Sequence, residues 1–151
     1  MAEIRVMAER SIAAPAEEVY RYIADYRTHH PRFLPPAFSA FQVDQGGVGE
    51  GTIVRFRVRA GGRTRAFHQR VTEPTPGRVL VESGIQSSEA TTFTVIPEGM
   101  ASRVRIETRF EDAGGVRGFV ERLLAPRFLQ PLYAEELERL DRYAQERAAG
   151  H

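Results

Sequence analysis

The spacing of hydrophobic residues changes three times along the chain and predicts strands and helices in a definite order. Apolar and polar residues alternate from Ile4 to Ile12, which is typical of a β-strand with one buried face. Pro15 ends this alternation and suits the first turn of a helix. The apolar residues that follow it are spaced as on a helix, so we expect a short helix that ends near Asp25.

Alternation returns after a proline-rich connection. The segment H-H-P-R-F-L-P-P-A-F, residues 29–38, contains three prolines, and we expect an irregular link that still buries Phe33 and Leu34. From there to Phe110 the hydrophobic period is two, with short turns such as Gly61-Gly62 that are typical of hairpins. This pattern predicts six further strands, near residues 41–43, 54–59, 65–73, 79–82, 91–96 and 103–110. Short connections between strands favour an antiparallel sheet.

The last segment, Val116 to Arg147, is the longest predicted element and has the spacing of an amphipathic helix. Pro126 and Pro131 interrupt it, so we expect a bend, because a proline removes a backbone donor and crowds the preceding turn. We expect the helix to cover one face of the sheet, and the segment 125–132 to be the part that moves when a ligand binds. The expected apolar stripe is Phe119, Val120, Leu123, Leu124, Phe128, Leu129, Leu132, Tyr133, Leu137, Leu140, Tyr143 and Ala144.

Composition narrows the range of functions. The chain has 151 residues, which predicts one domain, and it has no cysteine, which excludes disulfides and thiolate chemistry. The formal net charge is +1, so we expect no nucleic-acid partner. The first residues lack the apolar core of a signal peptide, and no apolar run has the length of a membrane span. We therefore expect a cytoplasmic protein without stable membrane insertion; the oligomeric state is not predictable.

Several residue clusters have a simpler reading than a catalytic or binding site. The arginines between residues 55 and 65 alternate with apolar residues, which indicates the hydrated face of a hairpin. His29, His30 and His68 lack a carboxylate at ligand spacing, so we expect no metal site. The glycines of residues 46–51 precede a strand rather than a helix, which argues against a phosphate loop. We expect no cofactor.

Four segments resemble the helix-grip superfamily, which includes START-like lipid-transfer domains, the birch pollen allergen and the polyketide cyclase/dehydrase family. They are A-A-P-A-E-E-V-Y-R-Y-I-A-D-Y (13–26), G-E-G-T (49–52), V-T-E-P-T-P-G-R-V-L (71–80) and the terminal L-E-R-L-D-R-Y. The resemblance implies an α+β helix-grip fold, with a seven-stranded curved antiparallel sheet wrapped around a long C-terminal α-helix. It further implies short helices between strands 1 and 2 and a single START-like ligand-binding domain, residues 1–151, around a hydrophobic cavity.

Two polar residues are candidates for the cavity. In aromatase/cyclases of this superfamily an arginine of the fourth strand points into the pocket, and the similar segment H-Q-R-V implies that role for Arg70, with His68 on the same face. An enzyme of this type would use Arg70 to polarise a carbonyl and His68 to move a proton. Strand alternation alone instead turns Phe67 and Val71 inward, so both orientations stay open.

The resemblance implies binding of a hydrophobic small molecule, such as a polyketide, lipid or isoprenoid, between the sheet and the C-terminal helix. One alternative is a polyketide cyclase/dehydrase-type enzyme. Another is a quinone or lipid chaperone, because Asp25 and the F-L-P of residues 33–35 resemble coenzyme Q-binding relatives. The apolar candidates for ligand contact are Phe41, Phe56, Val58, Phe93, Val95, Ile106, Leu124, Phe128 and Leu132.

Overall fold

The computed structural model describes residues 2–150, and its elements follow the predicted order. Strand β1 is followed by a helix, α1, and by a short 3-10 helix; six more strands and the long helix α2 come after them. The bounds are β1 Glu3–Ile12, α1 Ala16–Ala24, the 3-10 helix His30–Phe33, β2 Phe38–Gln45, β3 Ile53–Ala60, β4 Arg63–Thr75, β5 Val79–Gly84, β6 Ala90–Glu98, β7 Ala101–Glu111 and α2 Gly115–Ala149. The predicted α+β helix-grip fold is confirmed.

The seven strands form one curved antiparallel sheet in the order β1-β7-β6-β5-β4-β3-β2. Strands β2 to β7 are neighbours in chain order because short connections join them. Strand β1 pairs with β7, with Ile4 opposite Phe110. The predicted hairpin at Gly61-Gly62 lies between β3 and β4, and both glycines have positive φ, which a residue with a Cβ adopts only with strain. The sheet therefore has one face available to α1 and α2.

The second half of α2, residues 132–149, packs on β1 and the 3-10 helix. Leu137, Leu140 and Ala144 are buried on this face, as the apolar stripe predicts. Asp141 completes the contact: it accepts a hydrogen bond from the Ala13 backbone N–H at 2.9 Å, and Arg10 pairs with it at 3.2 Å. Apolar burial and charge pairing together fix this half of the helix on the sheet.

The first half of α2, residues 115–131, differs from the prediction in two ways. The helix is continuous through Pro126 and Pro131, so the predicted interruption is wrong, while the bend stays a prediction. The predicted burial of the whole apolar stripe is also wrong, because this half lies over a cavity rather than over packed side chains. The hydrophobic residues it leaves exposed are Val116, Phe119, Val120, Leu123, Leu124 and Phe128.

Candidate ligand cavity

The inner face of the sheet and the first half of α2 enclose a cavity of about 1000 Å³. Strands β2, β3 and β6 contribute aromatic and branched side chains from their inward-facing positions, and α2 contributes side chains from its apolar stripe. Seven predicted apolar contact residues line this cavity: Phe41, Phe56, Val58, Phe93, Leu124, Phe128 and Leu132. Phe56 stacks on Phe67 with ring centroids 5.4 Å apart, so part of the wall is a continuous aromatic surface.

Two other predicted contact residues lie in the packed core instead. Val95 and Ile106 have no exposed surface and do not line the cavity. They point to the inner face of the sheet like the lining residues, but neighbouring side chains cover them completely. Strand alternation correctly predicts which side chains face inward. It cannot predict which of them pack in the core and which line the cavity.

The structure contradicts the cavity positions expected for Arg70 and His68. Gln69 and Val71 are buried, whereas Arg70 is exposed and does not line the cavity. His68 is directed to the outer face, where its Nε2 lies 3.6 Å from an Asp44 carboxylate oxygen. The β3–β4 pairing has no bulge, so the period of two holds from Phe67 to Val71 and keeps both polar residues outside.

The open side of the cavity is formed by the β3–β4 turn and α2. A Cβ atom added at Gly61 would lie 3.1 Å from the Phe128 ring, so the absence of a side chain lets the turn and the helix approach closely. Arg63, Arg65 and Arg117 line the cavity and are exposed. The less buried part of the lining carries charges of both signs, because it also includes Glu89, Glu111 and Glu121.

A buried polar cluster, which consists of His30, Glu82 and Glu136, also lines the cavity. His30 Nε2 lies 3.9 Å from Glu82 Oε2 and 3.9 Å from Glu136 Oε2. The Tyr26 hydroxyl donates to Glu82 Oε2 at 2.5 Å, and the His30 ring stacks on the Tyr26 ring. His30 Nδ1 lies 2.6 Å from the Ile23 carbonyl oxygen. The 3-10 helix, β5 and α2 thus bring three titratable groups together inside an apolar cavity.

Hydroxyl and amide groups extend the polar part of the wall. Thr91, Thr108 and Tyr133 form a chain of hydroxyls with both oxygen–oxygen distances at 2.7 Å. Gln69 Nε2 donates to a Glu89 carboxylate at 2.9 Å, while the buried Gln69 Oε1 has no partner among residues 2–150. A bound polar group could pair with this free amide oxygen.

Burial shifts the pKa values of the polar cluster in the directions that favour the neutral form of each group. It raises the pKa of Glu82 to about 7, although the Tyr26 hydrogen bond opposes the shift. Burial, followed by the nearby Glu82 charge, raises the pKa of Glu136 well above its usual range. Burial lowers the pKa of His30 to about 4, against the effect of the Ile23 carbonyl. With the cavity empty, His30 is therefore neutral near pH 7, and burial favours the protonated form of Glu136.

The sequence contains a signal for this cluster that hydrophobic patterning passes over. Glu82 shares the strand face of the fully buried Leu80, so an acid occupies an inward position. Glu136 lies between the buried Tyr133 and Leu137 on the apolar stripe of α2. A charged residue in phase with a buried stripe is uncommon unless it is paired or functional.

Two features are absent from residues 2–150. Groups of three or more His, Cys, Asp or Glu side chains with metal-holding geometry do not occur in this part of the chain, and His68 is on the sheet face opposite to His30. None of the helices described is both long enough and apolar enough to cross a membrane.

Comparison with known proteins places the chain in a family. Residues 3–145 match the family model described as polyketide cyclase / dehydrase and lipid transport, and the chain belongs to that family. No curated protein matches the chain.

Solved structures agree with this assignment. The chain is similar to the KanY protein, with 31% sequence identity, 96% of this chain and 99% of that chain covered, and a TM-score of 0.84. It is similar to a protein from Thermus thermophilus, with 23% identity, coverages of 94% and 97%, and a TM-score of 0.78. For the Zhui aromatase/cyclase of a Streptomyces species the identity is 16%, the coverages are 97% and 96%, and the TM-score is 0.76. The last two likenesses concern the fold alone.

Proposed function

We propose that this protein binds a hydrophobic small molecule in the cavity between the sheet and the first half of α2. The observation that carries the proposal is an unfilled volume of about 1000 Å³ whose largely apolar lining includes seven phenylalanines. Native interiors are packed to crystal-like density, so an internal space of this size is a feature that requires an explanation. A bound molecule would also cover part of the apolar surface exposed on α2.

The size of the hydrophobic effect supports binding without catalysis. Removing apolar surface from water stabilises a complex by roughly 25 cal/mol per Å². A ligand that buries about 300 Å² of apolar surface gains roughly 7 to 8 kcal/mol, which is close to micromolar affinity before the costs of association. Polyketides, lipids and isoprenoids are the ligand classes we propose, in agreement with the family description. We also propose a cytoplasmic location.

The enzyme and chaperone alternatives receive less support. A cyclase that uses Arg70 and His68 is not proposed, because neither side chain lines the cavity. Asp25, the residue that suggests a quinone chaperone, accepts hydrogen bonds from the backbone N–H groups of Arg27 and Thr28 at 3.1 and 2.9 Å. Asp25 is therefore explained by a local turn. A quinone is proposed only as one member of the isoprenoid class of ligands.

Native mass spectrometry of freshly purified protein tests the proposal, with cavity-filling as the control. Ala125 lines the cavity, whereas Ala134 is exposed on the same helix. We expect the wild type and Ala134→Trp to carry a co-purifying small molecule, and Ala125→Trp to lose it. A clean apo mass for all three proteins, with no thermal shift from a lipid and polyketide panel, would contradict the proposed function.

A further inference from the structure

Three polar side chains converge inside the cavity without a direct hydrogen bond between them. The two distances of 3.9 Å from His30 Nε2 to Glu82 Oε2 and Glu136 Oε2 are too long for direct hydrogen bonds. The Ile23 carbonyl can only accept, so Nδ1 carries the proton that bonds it at 2.6 Å and a neutral His30 offers Nε2 as an acceptor. One small donor group placed between the three side chains could contact all of them.

A fourth acceptor reaches the same cavity from β4. Gln69 is 3% exposed, and its Oε1 is buried without a hydrogen-bond partner among residues 2–150. It pairs with Gly84 across the sheet, and Gly84 is two residues from Glu82 on the same face of β5. Leaving a buried acceptor unpaired is unfavourable by about 1–3 kcal/mol. The amide oxygen therefore points independently to a ligand that brings hydrogen-bond donors.

Positive charge is missing where these acceptors meet. The arginines that line the cavity within residues 2–150 are Arg63, Arg65 and Arg117, and all three are exposed on the open side. Glu136 accepts no hydrogen bond from the described residues, and burial raises its pKa. Burial thus favours a proton on this carboxyl group in the empty site, whereas a bound cation would favour its ionised form.

We propose that the polar cluster of His30, Glu82 and Glu136 binds the protonated primary amine of an otherwise apolar ligand, an inference that rests on the proposed ligand-binding function. A primary ammonium group has three N–H donors, one for each acceptor side chain. Its charge pairs with ionised Glu136, so the carboxyl proton leaves to solvent when the amine binds. A carboxylate at this place would bring no donor and would face two acidic side chains.

The other titratable groups against the cluster are two tyrosines. Tyr26, which follows α1, and Tyr133, on α2, both have a pKa raised chiefly by burial, so both stay neutral near pH 7. Thr91, Thr108 and Gln69 supply the uncharged remainder of the polar wall. The proton released on amine binding therefore comes from the Glu82–Glu136 pair.

Isothermal titration with three naphthalene probes of one skeleton tests the inference: 2-(2-naphthyl)ethylamine, 2-(2-naphthyl)ethanol and 2-naphthylacetate. At pH 7.5 we expect the amine to bind at least tenfold more tightly than the alcohol, and the acetate to bind most weakly. Titration in two buffers of different ionisation enthalpy should show the release of roughly one proton with the amine and none with the alcohol. An alcohol that binds as tightly as the amine, or amine binding without proton release, would overturn the inference.

Variants of one helix supply the control. Glu136→Gln should reduce the preference for the amine to less than twofold while alcohol binding is kept. Glu135→Gln should leave the preference unchanged, because Glu135 pairs with Arg139 and does not line the cavity. A tenfold preference that survives in Glu136→Gln would also refute the inference. Ala125→Trp is expected to bind neither the alcohol nor the amine. If the wild type also binds neither probe, the proposed function itself is contradicted.

Discussion

The two halves of α2 belong to one continuous helix and carry similar apolar stripes, yet they differ in what lies beneath them. Leu140 in the second half has no exposed surface, while Phe119 and Leu123 in the first half are 56% and 54% exposed. The second half rests mainly on β1 and reaches the cavity only at its start, with Leu132, Tyr133 and Glu136, whereas the first half lies over the cavity. An amphipathic helix can therefore stabilise the fold with one half and cover a binding site with the other.

The sharpest difference between the halves is expected in stability. Leu140→Ala should lower the free energy of unfolding by about 3 to 4 kcal/mol, because the side chain is fully buried and its loss leaves a void. Leu124→Ala should cost less than about 1 kcal/mol, since Leu124 is 39% exposed and already adjoins an unfilled space. Urea denaturation of both variants measures this; equal losses would mean that the first half is packed as tightly as the second.

The pH dependence of the free energy of unfolding tests the polar cluster separately from the other contacts of α2. The folded pKa of Glu82, about 7 against 4.5, means that its contribution to stability falls as pH rises from 4.5 to 7. The folded pKa of His30, about 4 against 6.5, means that its contribution rises between pH 4 and 6.5. The two contributions oppose each other in the wild type.

Single variants should reveal each contribution. Relative to the wild type, the change in unfolding free energy from pH 4.5 to 7 should become more negative by about 2 to 3 kcal/mol in His30→Gln. In Glu82→Gln the same quantity should become more positive by about the same amount. Urea titrations at the two pH values measure both; shifts of the same sign would show that the cluster does not titrate as described.

Ligand affinity should respond to the first half of α2. Phe128→Ala removes a ring that lines the cavity and packs at Gly61, so we expect the Kd for 2-(2-naphthyl)ethanol to rise about tenfold, or roughly 1.4 kcal/mol. Stability should change by less than about 1 kcal/mol because the ring is half exposed. A matched change on the outer surface, Phe119→Ala, should leave the Kd unaltered; equal losses from both variants would contradict the cavity assignment.

The smallest effect is expected from the residue that family resemblance favours most. Arg70→Ala should change the unfolding free energy by less than about 0.5 kcal/mol and leave probe affinity within twofold, because the side chain lies on the hydrated face of β4. Titration calorimetry on this variant provides the measurement. A tenfold loss of affinity would indicate that Arg70 lines the cavity after all.

Sequence patterns predict most of the fold because each element depends on local periodicity. The alternation around Phe67 and Val71 correctly turns Arg70 outward, and resemblance to cyclases suggests the opposite. The cavity is less predictable, because Phe93 and Val95 have the same pattern although only Phe93 lines it. Whether an inward position is filled depends on how far the sheet curves away from α2, which no single segment encodes.

The polar cluster is unpredictable for a related reason. His30, Glu82 and Glu136 come from three distant segments, and only the fold brings both carboxylates to 3.9 Å from His30. Glu136 occupies a position of the apolar stripe of α2, and this signal can be seen in the sequence. The residues that surround Glu136 cannot be predicted from the sequence. Local rules therefore predict the elements, while the chemistry of the site requires their arrangement.

Intermolecular NOE measurements with bound 2-(2-naphthyl)ethanol show directly whether the ligand occupies the cavity. We expect NOEs from the naphthalene protons to Phe93, Leu124 and Phe128, which line the cavity, and none to Leu140 in the packed second half of α2. Saturable binding with NOEs confined to Val116 and Phe119 on the outer surface would contradict this expectation. So would an absence of binding by a folded wild-type protein.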